Sequence, residues 1–328
     1  MDRQNNNRDA TRYSKPLWFL LISFLCASYA IADSSSSIDL VLSANKSYYQ
    51  KTAAHIESAV KKAHPNTSIT IGIAEQKDWP QNGNSLVVAV GSSACEQALK
   101  KTPSNGLLCT FLPRSTYLSL IAKHTEKATG SRSAIFFDQP MQRYFALMKI
   151  ITPKAKKLGT AVGPQSTQLL PAIEQLSQEY QFALLHTELT DSKSHLKSLS
   201  SVVASSQIFL VNPDKAELNK TVARTLLHLS IRQRIPVIAY SGSYVNAGAL
   251  AAIYSTPDNI GEDASKVINQ WLSSQDTRLP PPGYPEFFTI KSNPHVARSL
   301  RIKLPGDRNL EQAVRQYMVQ SSPEGGTP

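Results

Sequence analysis

The chain has 328 residues, 41% of them hydrophobic, and 35 Lys and Arg against 24 Asp and Glu give a formal net charge of +11. That length is enough for two domains of about 150 residues each. The basic residues are scattered among acidic ones and the densest run, Lys154–Lys157, is short, so without a basic stripe or stacking motif the composition argues against nucleic-acid binding.

The first 32 residues read as an export leader: a basic start, an apolar stretch over Leu17–Cys26 and the small-residue site Ala30-Ile31-Ala32. Cleavage after Ala32 would leave a periplasmic mature chain. The leader carries +2, so +9 of the chain's +11 stays on residues 33–328. The apolar stretch is shorter than the roughly 20 residues of a membrane span, which weighs against a retained anchor. Ser23-Phe24-Leu25 is bulky for lipid attachment at Cys26.

From Ile38 the chain alternates strand and helix. Ile38–Leu42, Ser68–Ile73, Leu86–Val90 and Leu107–Phe111 are apolar strands; Ala53, Ile56, Val60 and Ala63 mark one helical face, and another helix starts near Ser92. A second series follows Asp138: a helix over Met141–Ile151, a strand at Leu158–Val162 and a helix carrying Leu169, Leu170, Ile173 and Leu176. Strands at Phe182–Leu185, Ile208–Val211 and Pro236–Ala239 alternate with helices marked by Leu196, Leu199 and Val203 and by Val222, Leu226 and Leu229. The pattern predicts an α/β fold of two Rossmann-like lobes with parallel sheets. Pro257 opens a further helix with Ile260, Ala264, Val267, Ile268 and Trp271 on its apolar face. Phe287–Ile290 reads as a late strand, Pro294–Leu300 as a short helix, and the end of the chain as a tail.

Four segments carry a resemblance: Ile235-Pro-Val, Tyr244-Val-Asn-Ala-Gly-Ala-Leu250, Asn259-Ile-Gly and Ala297-x-Ser-Leu-x-Ile-x-Leu-Pro305, with weaker matches at Val88–Ser93 and Leu210–Asp214. Together they resemble the ABC transporter substrate-binding proteins related to tryptophan and tyrosine binding components, which have the periplasmic-binding-protein type 1 (Venus-flytrap) fold. The resemblance covers most of residues 33–328. It implies three crossings between lobes, near Asp138, Ser255 and Glu286. Lobe 1 would then comprise 33–137 plus 256–285, lobe 2 would comprise 138–255 plus 286–305, and 306–328 would be the tail. It also implies a small solute bound between lobes that close on it. The chain departs from the family at Gly163-Pro-Gln-Ser-Thr-Gln168, where a Tyr-Asn-Pro type turn is usual, so aromatic amino-acid specificity is not carried over.

Ligands of open α/β sheets bind beyond the carboxyl ends of the strands, which selects the candidate contacts. Ser92 and Ser93 open a helix whose end favours an anion, although a serine there also serves as a cap. Gln165 and Ser166 occupy the matching turn of the second lobe. Asn212 and Asp214 follow a buried strand and suit an amine or hydroxyl, with a plain turn at Pro213 as the alternative. Ser241, Ser243 and Tyr244 follow the strand at Pro236, where Tyr could add an apolar wall with a polar tip. Asp138 either contacts the ligand or caps the helix beginning near Pro140. Cys95 and Cys109, 14 positions apart, form a disulfide in an oxidising compartment or stay as separate buried thiols.

The seven histidines show no metal-ligand spacing, and Gly91-Ser-Ser-Ala-Cys95 lacks the Gly-x-Ser-x-Gly elbow of a hydrolase. The expected protein is therefore not an enzyme and needs no metal or cofactor. The family resemblance implies an exported, monomeric solute-binding protein of an ABC-type uptake system that takes a small polar or amino-acid-like ligand to a permease. The alternative is a ligand sensor that signals to a membrane receptor or kinase.

Overall fold

The computed structural model describes residues 37–75, 85–124, 130–189, 195–214, 220–274 and 278–321. The leader and the last residues of the tail lie outside them.

The first sheet is built from β1 (Ser37–Leu42), β2 (Ser68–Ile73), β3 (Ser85–Val90), β4 (Leu107–Leu112) and β5 (Arg132–Phe136). Its order is β2-β1-β3-β4-β5 and every pair is parallel. β3 is buried along its whole length, as a central strand covered on both faces must be. One face packs on α1 (Ser47–Ala63), through Ala53, Ile56 and Val60; the other packs on α2 (Ser92–Lys101) and α3 (Arg114–Lys123). Cys95 of α2 and Cys109 of β4 are joined by a disulfide inside that second core.

The second sheet contains β6 (Lys157–Val162), β7 (Ala183–Glu188), β8 (Ile208–Val211), β9 (Val237–Ala239), β10 (Ala251–Tyr254) and β11 (Thr289–Ser292), in the order β11-β10-β9-β8-β6-β7. β11 runs antiparallel to β10 at the sheet's edge, where the sequence pattern had predicted only parallel strands. One core joins α4 (Met141–Ile151) and α5 (Leu170–Glu179) to the sheet. The other face is covered by α6 (His195–Ser205), α7 (Lys220–Gln233) and α8 (Gly242–Asn246).

The chain leaves the first sheet at the end of β5 and returns from the end of β10 into α9 (Pro257–Ser273). A capping box between Thr256 and Asn259, with Pro257 in the first turn, fixes that return. Ile260, Ala264, Ile268 and Trp271 of α9 then pack in the core with Ile38, Ile56 and Leu86. Gly283 next bridges β5, exchanging hydrogen bonds with Phe136 and Ala134 (both 2.9 Å), before the chain crosses again to β11. Two crossings thus start at carboxyl ends of parallel strands, one from each sheet, which brings those two sheet edges to the same side.

Three sequence expectations need correction. Phe287–Ile290 was expected as a strand, but the N–H groups of Glu286 and Phe287 donate to Asp263 (3.0 and 3.2 Å), so pairing begins only at Thr289. The tail expected from 306 is, over Asp307–Ser321, helix α11, following α10 (Pro294–Leu300). Leu310 and Val314 of α11 are fully buried, and Glu311 and Asp307 accept the N–H groups of Ile290 and Ser292. β5, β10 and α3, absent from the predicted elements, complete the two sheets and their cover.

Candidate functional site

The carboxyl edge of the first sheet begins with a glycine that the packing requires. Gly91, between β3 and α2, has φ +100, and a Cβ there would lie 2.4 Å from Ser43 Oγ and 2.8 Å from the Tyr49 hydroxyl. Ser43 Oγ accepts the Ala94 N–H (2.9 Å) and Cys95 N–H returns to Gly91 O (3.1 Å). The N–H groups of Ser92 and Ser93, half-exposed at the helix start, have no intrahelical acceptor. Their end of α2 carries the positive pole of the helix and suits a carboxylate.

Beside it stands an aromatic wall. Phe111, at the end of β4, stacks on Tyr48 (5.6 Å between centroids) and on Phe137 (4.7 Å), and meets Tyr49 edge-on (5.4 Å). Tyr48 is 42% exposed and Phe137 38%, so the wall presents open ring surface. Phe111 has φ +59, a left-handed conformation unfavourable for a bulky residue, of the kind that recurs at ligand clamps. Burial pushes the Tyr49 hydroxyl up, and Ser43 hydrogen-bonds it in the opposite sense. Asp138 follows Phe137 and accepts the Arg114 N–H (2.9 Å), so it caps α3 rather than the α4 helix expected from the sequence. Burial raises its carboxyl despite that donor.

At the carboxyl edge of the second sheet, three of the expected residues face inward. Ser166 (0% exposed) donates to Asp214 Oδ2 (2.9 Å), which also accepts the Gln165 N–H (3.0 Å); Asp214 is 1% exposed. Asn212 donates to Thr160 Oγ1 (2.8 Å) and Ala161 O (3.2 Å) and is likewise enclosed. These side chains tie the turn after β6 to the turn after β8. Gln165 is exposed on that turn. Ser241 is the N-cap residue of α8, Ser243 is exposed, and the half-buried Tyr244 packs against Tyr240 (5.3 Å) with their hydroxyls hydrogen-bonded. Burial pushes both tyrosines up, and Asp214 adds to the shift of Tyr240.

The structure therefore gathers Ser92, Ser93 and Asp138 on one sheet edge and Gln165, Ser241, Ser243 and Tyr244 on the other, with Ser166, Asn212 and Asp214 behind them. The sequence reading missed the aromatic wall. Its signals were the pairs Tyr48-Tyr49 at a helix start and Phe136-Phe137 at the end of an apolar run. Two cavities among the described residues are lined by other side chains. One, of about 420 Å³, is lined by Val267, Trp271 and Leu279; the other, of about 250 Å³, by Ile135, Asp263 and Tyr284. Among the described residues no group of three or more His, Cys, Asp or Glu could hold a metal ion, and no helix is long and apolar enough to cross a membrane.

Comparison with known proteins gives this arrangement its place. A family model described as ABC transporter substrate binding protein matches residues 42–313. No curated protein matched. Among solved structures, a ligand-free, open substrate-binding protein with adhesive properties from Clostridium difficile superposes with TM-score 0.67 at 20% identity, over 84% of this chain and 97% of that one. An ABC domain in complex with L-Trp from Streptococcus pneumonia (TM-score 0.54, 15% identity, 85% and 98% covered) shares the fold. So does a conserved domain protein from Vibrio cholerae (0.54, 13%, 85% and 98%). Two mostly parallel α/β sheets, three crossings and carboxyl edges turned to one side are the type 1 periplasmic-binding-protein architecture, and the chain belongs to the ABC transporter substrate-binding protein family.

Proposed function

We propose that this protein is the exported, periplasmic receptor of an ABC-type uptake system, working as a monomer that delivers its solute to a permease and performs no chemistry. Its solute is a small, amino-acid-like molecule with a planar apolar face and an acidic group. The observation that carries this reading is the exposed ring surface of Tyr48, Phe111 and Phe137 beside the start of α2. The rings supply a stacking surface, and Ser92 and Ser93 offer N–H groups and hydroxyls to a carboxylate. Gln165, Ser241, Ser243 and Tyr244 would close over the solute from the other lobe, while Asp138 at the first crossing faces its polar end. Ser166, Asn212 and Asp214 hold the second lobe's turns in shape. The L-Trp complex of the Streptococcus pneumonia relative supports a solute of this class despite the departure at Gly163–Gln168. Lobe 1 comprises residues 33–137 and 256–285; lobe 2 comprises 138–255 and 286–305, extended by α11.

The test is a thermal-shift screen against aromatic and aliphatic amino acids, aromatic carboxylates, sugars and nucleosides. A solute at about 100 times its Kd stabilises by about 2.7 kcal/mol. Aromatic acids should give the largest shifts. Stabilisation by sugars alone would reject the stacking solute, and a product released from any of them would reject a binder without chemistry.

A further inference from the structure

One peptide group in the third crossing is gripped by both lobes. From lobe 1, Asp263 of α9 accepts the N–H of Glu286 (3.0 Å) and that of Phe287 (3.2 Å). From lobe 2, Arg143 of α4 donates to the carbonyl of Pro285 (2.7 Å) and lies over the Phe288 ring (4.5 Å). The Pro285 carbonyl and the Glu286 N–H belong to the same peptide unit, so a carboxylate and a guanidinium hold its two ends. Arg143 also donates to Gln139 Oε1 (2.7 Å), and Gln139 donates to Ser255 Oγ (2.6 Å), which joins the first and second crossings to the third.

We propose that Asp263 and Arg143 are positioning residues of the interlobe hinge, setting the resting angle of the lobes through the Pro285–Glu286 peptide, and that Asp263 makes this setting respond to protons. The proposal rests on the reading that the lobes move, but needs no solute. A peptide held from both sides cannot rotate unless one grip yields. The grip on the lobe 1 side depends on an anionic acceptor, since a protonated carboxyl accepts two N–H groups poorly.

The surroundings of Asp263 keep it near that change. Burial raises its carboxyl to about 6, the N–H groups of Phe287 and Glu286 work against this, Glu286 raises it further and Lys266 lowers it. Lys266 pairs with Glu286 at 2.8 Å, and Arg315 of α11 donates to the Glu286 carbonyl (3.2 Å). Arg143 is itself lowered to about 10, first by burial and then by Arg315, while Asp263 counteracts. Burial of titratable groups at a moving joint is the pattern of a functional site.

The test places spin labels on S58C in α1 and Q178C in α5, both exposed, and measures the interlobe distance distribution without solute between about pH 5 and 7.5. The distribution should shift with a midpoint near pH 6. D263N should abolish the pH response, E286Q should keep it with a lower midpoint, and R143Q should change the distribution at every pH. A distribution that ignores pH, or a D263N protein that keeps the same midpoint, would overturn the proposal, the latter by assigning the response to histidines. A failed solute search would leave all four expectations standing.

Discussion

Replacing Gly91 by alanine should be among the most damaging single-methyl changes in the protein. Its φ of +100 and ψ of 168 fall in a region essentially reserved for glycine, where a side chain costs about 1–3 kcal/mol. The new Cβ would also lie 2.4 Å from Ser43 Oγ and 2.8 Å from Tyr49, closer than atoms can approach, so Ser43 must move. Moving it strands the Ala94 N–H, which is buried and bonded to Ser43 Oγ at 2.9 Å, at a further cost of about 1–3 kcal/mol. The total of about 2–6 kcal/mol should appear in urea unfolding followed by tryptophan fluorescence and lower Tm by about 2 °C or more per kcal/mol. Adding S43G removes the contact with Ser43 but also the acceptor of the Ala94 N–H, and leaves the backbone strain, so the double variant should remain destabilised by about 2–6 kcal/mol. If G91A unfolds within about 0.5 kcal/mol of the unaltered protein, the strained, packed turn described here is wrong.

Opening the Cys95–Cys109 disulfide by C95A/C109A removes a crosslink across 14 positions, and should cost about 3 kcal/mol in urea unfolding under oxidising conditions, with reduction of the unaltered protein giving a similar loss. Asp263 lies at about 6 when folded, above the carboxylate's 3.8, so folding takes up a proton between those values, and this group's contribution falls as pH rises through them and levels off above. Relative to D263N, the unaltered protein should therefore gain up to about 3 kcal/mol as pH drops from about 7 to 4; a constant difference would contradict the buried ionised carboxylate. S166A leaves the buried Asp214 carboxylate short of one donor and should destabilise by about 1–3 kcal/mol in the absence of solute. Ser166 acting only as a ligand contact would leave stability unchanged.

Much of the architecture was legible because parallel strands buried on both faces must be continuous apolar runs, as at Leu86–Val90 and Ile208–Val211. The helix Met141–Ile151 was read with the bounds the structure gives, since its apolar face repeats at helical spacing. What escaped depended on partners distant in sequence. The start of β11 is delayed to Thr289 by a carboxylate 24 residues away, which no local pattern encodes. α11 carries Leu310, Val314, Tyr317 and Met318 at helical spacing, but its charged composition and terminal position read as tail. At the site, the serines of α2 were readable from strand–turn–helix order. The inward turn of Ser166 and Asp214 was not, because it depends on the two loops meeting. The aromatic wall also needed the strand order β1-β3-β4-β5 to bring Tyr48, Phe111 and Phe137 onto one edge.

The aromatic site is tested most directly by isothermal titration of the protein and of its F111A variant with the aromatic acid that stabilises it most. One saturable site is expected, with an affinity that falls roughly fivefold or more in F111A, the loss of about 1 kcal/mol of stacking, while unfolding of the solute-free protein changes far less than for a core phenylalanine. Equal affinity in F111A, or no saturable binding of any aromatic acid, would place the solute away from this wall and contradict the site.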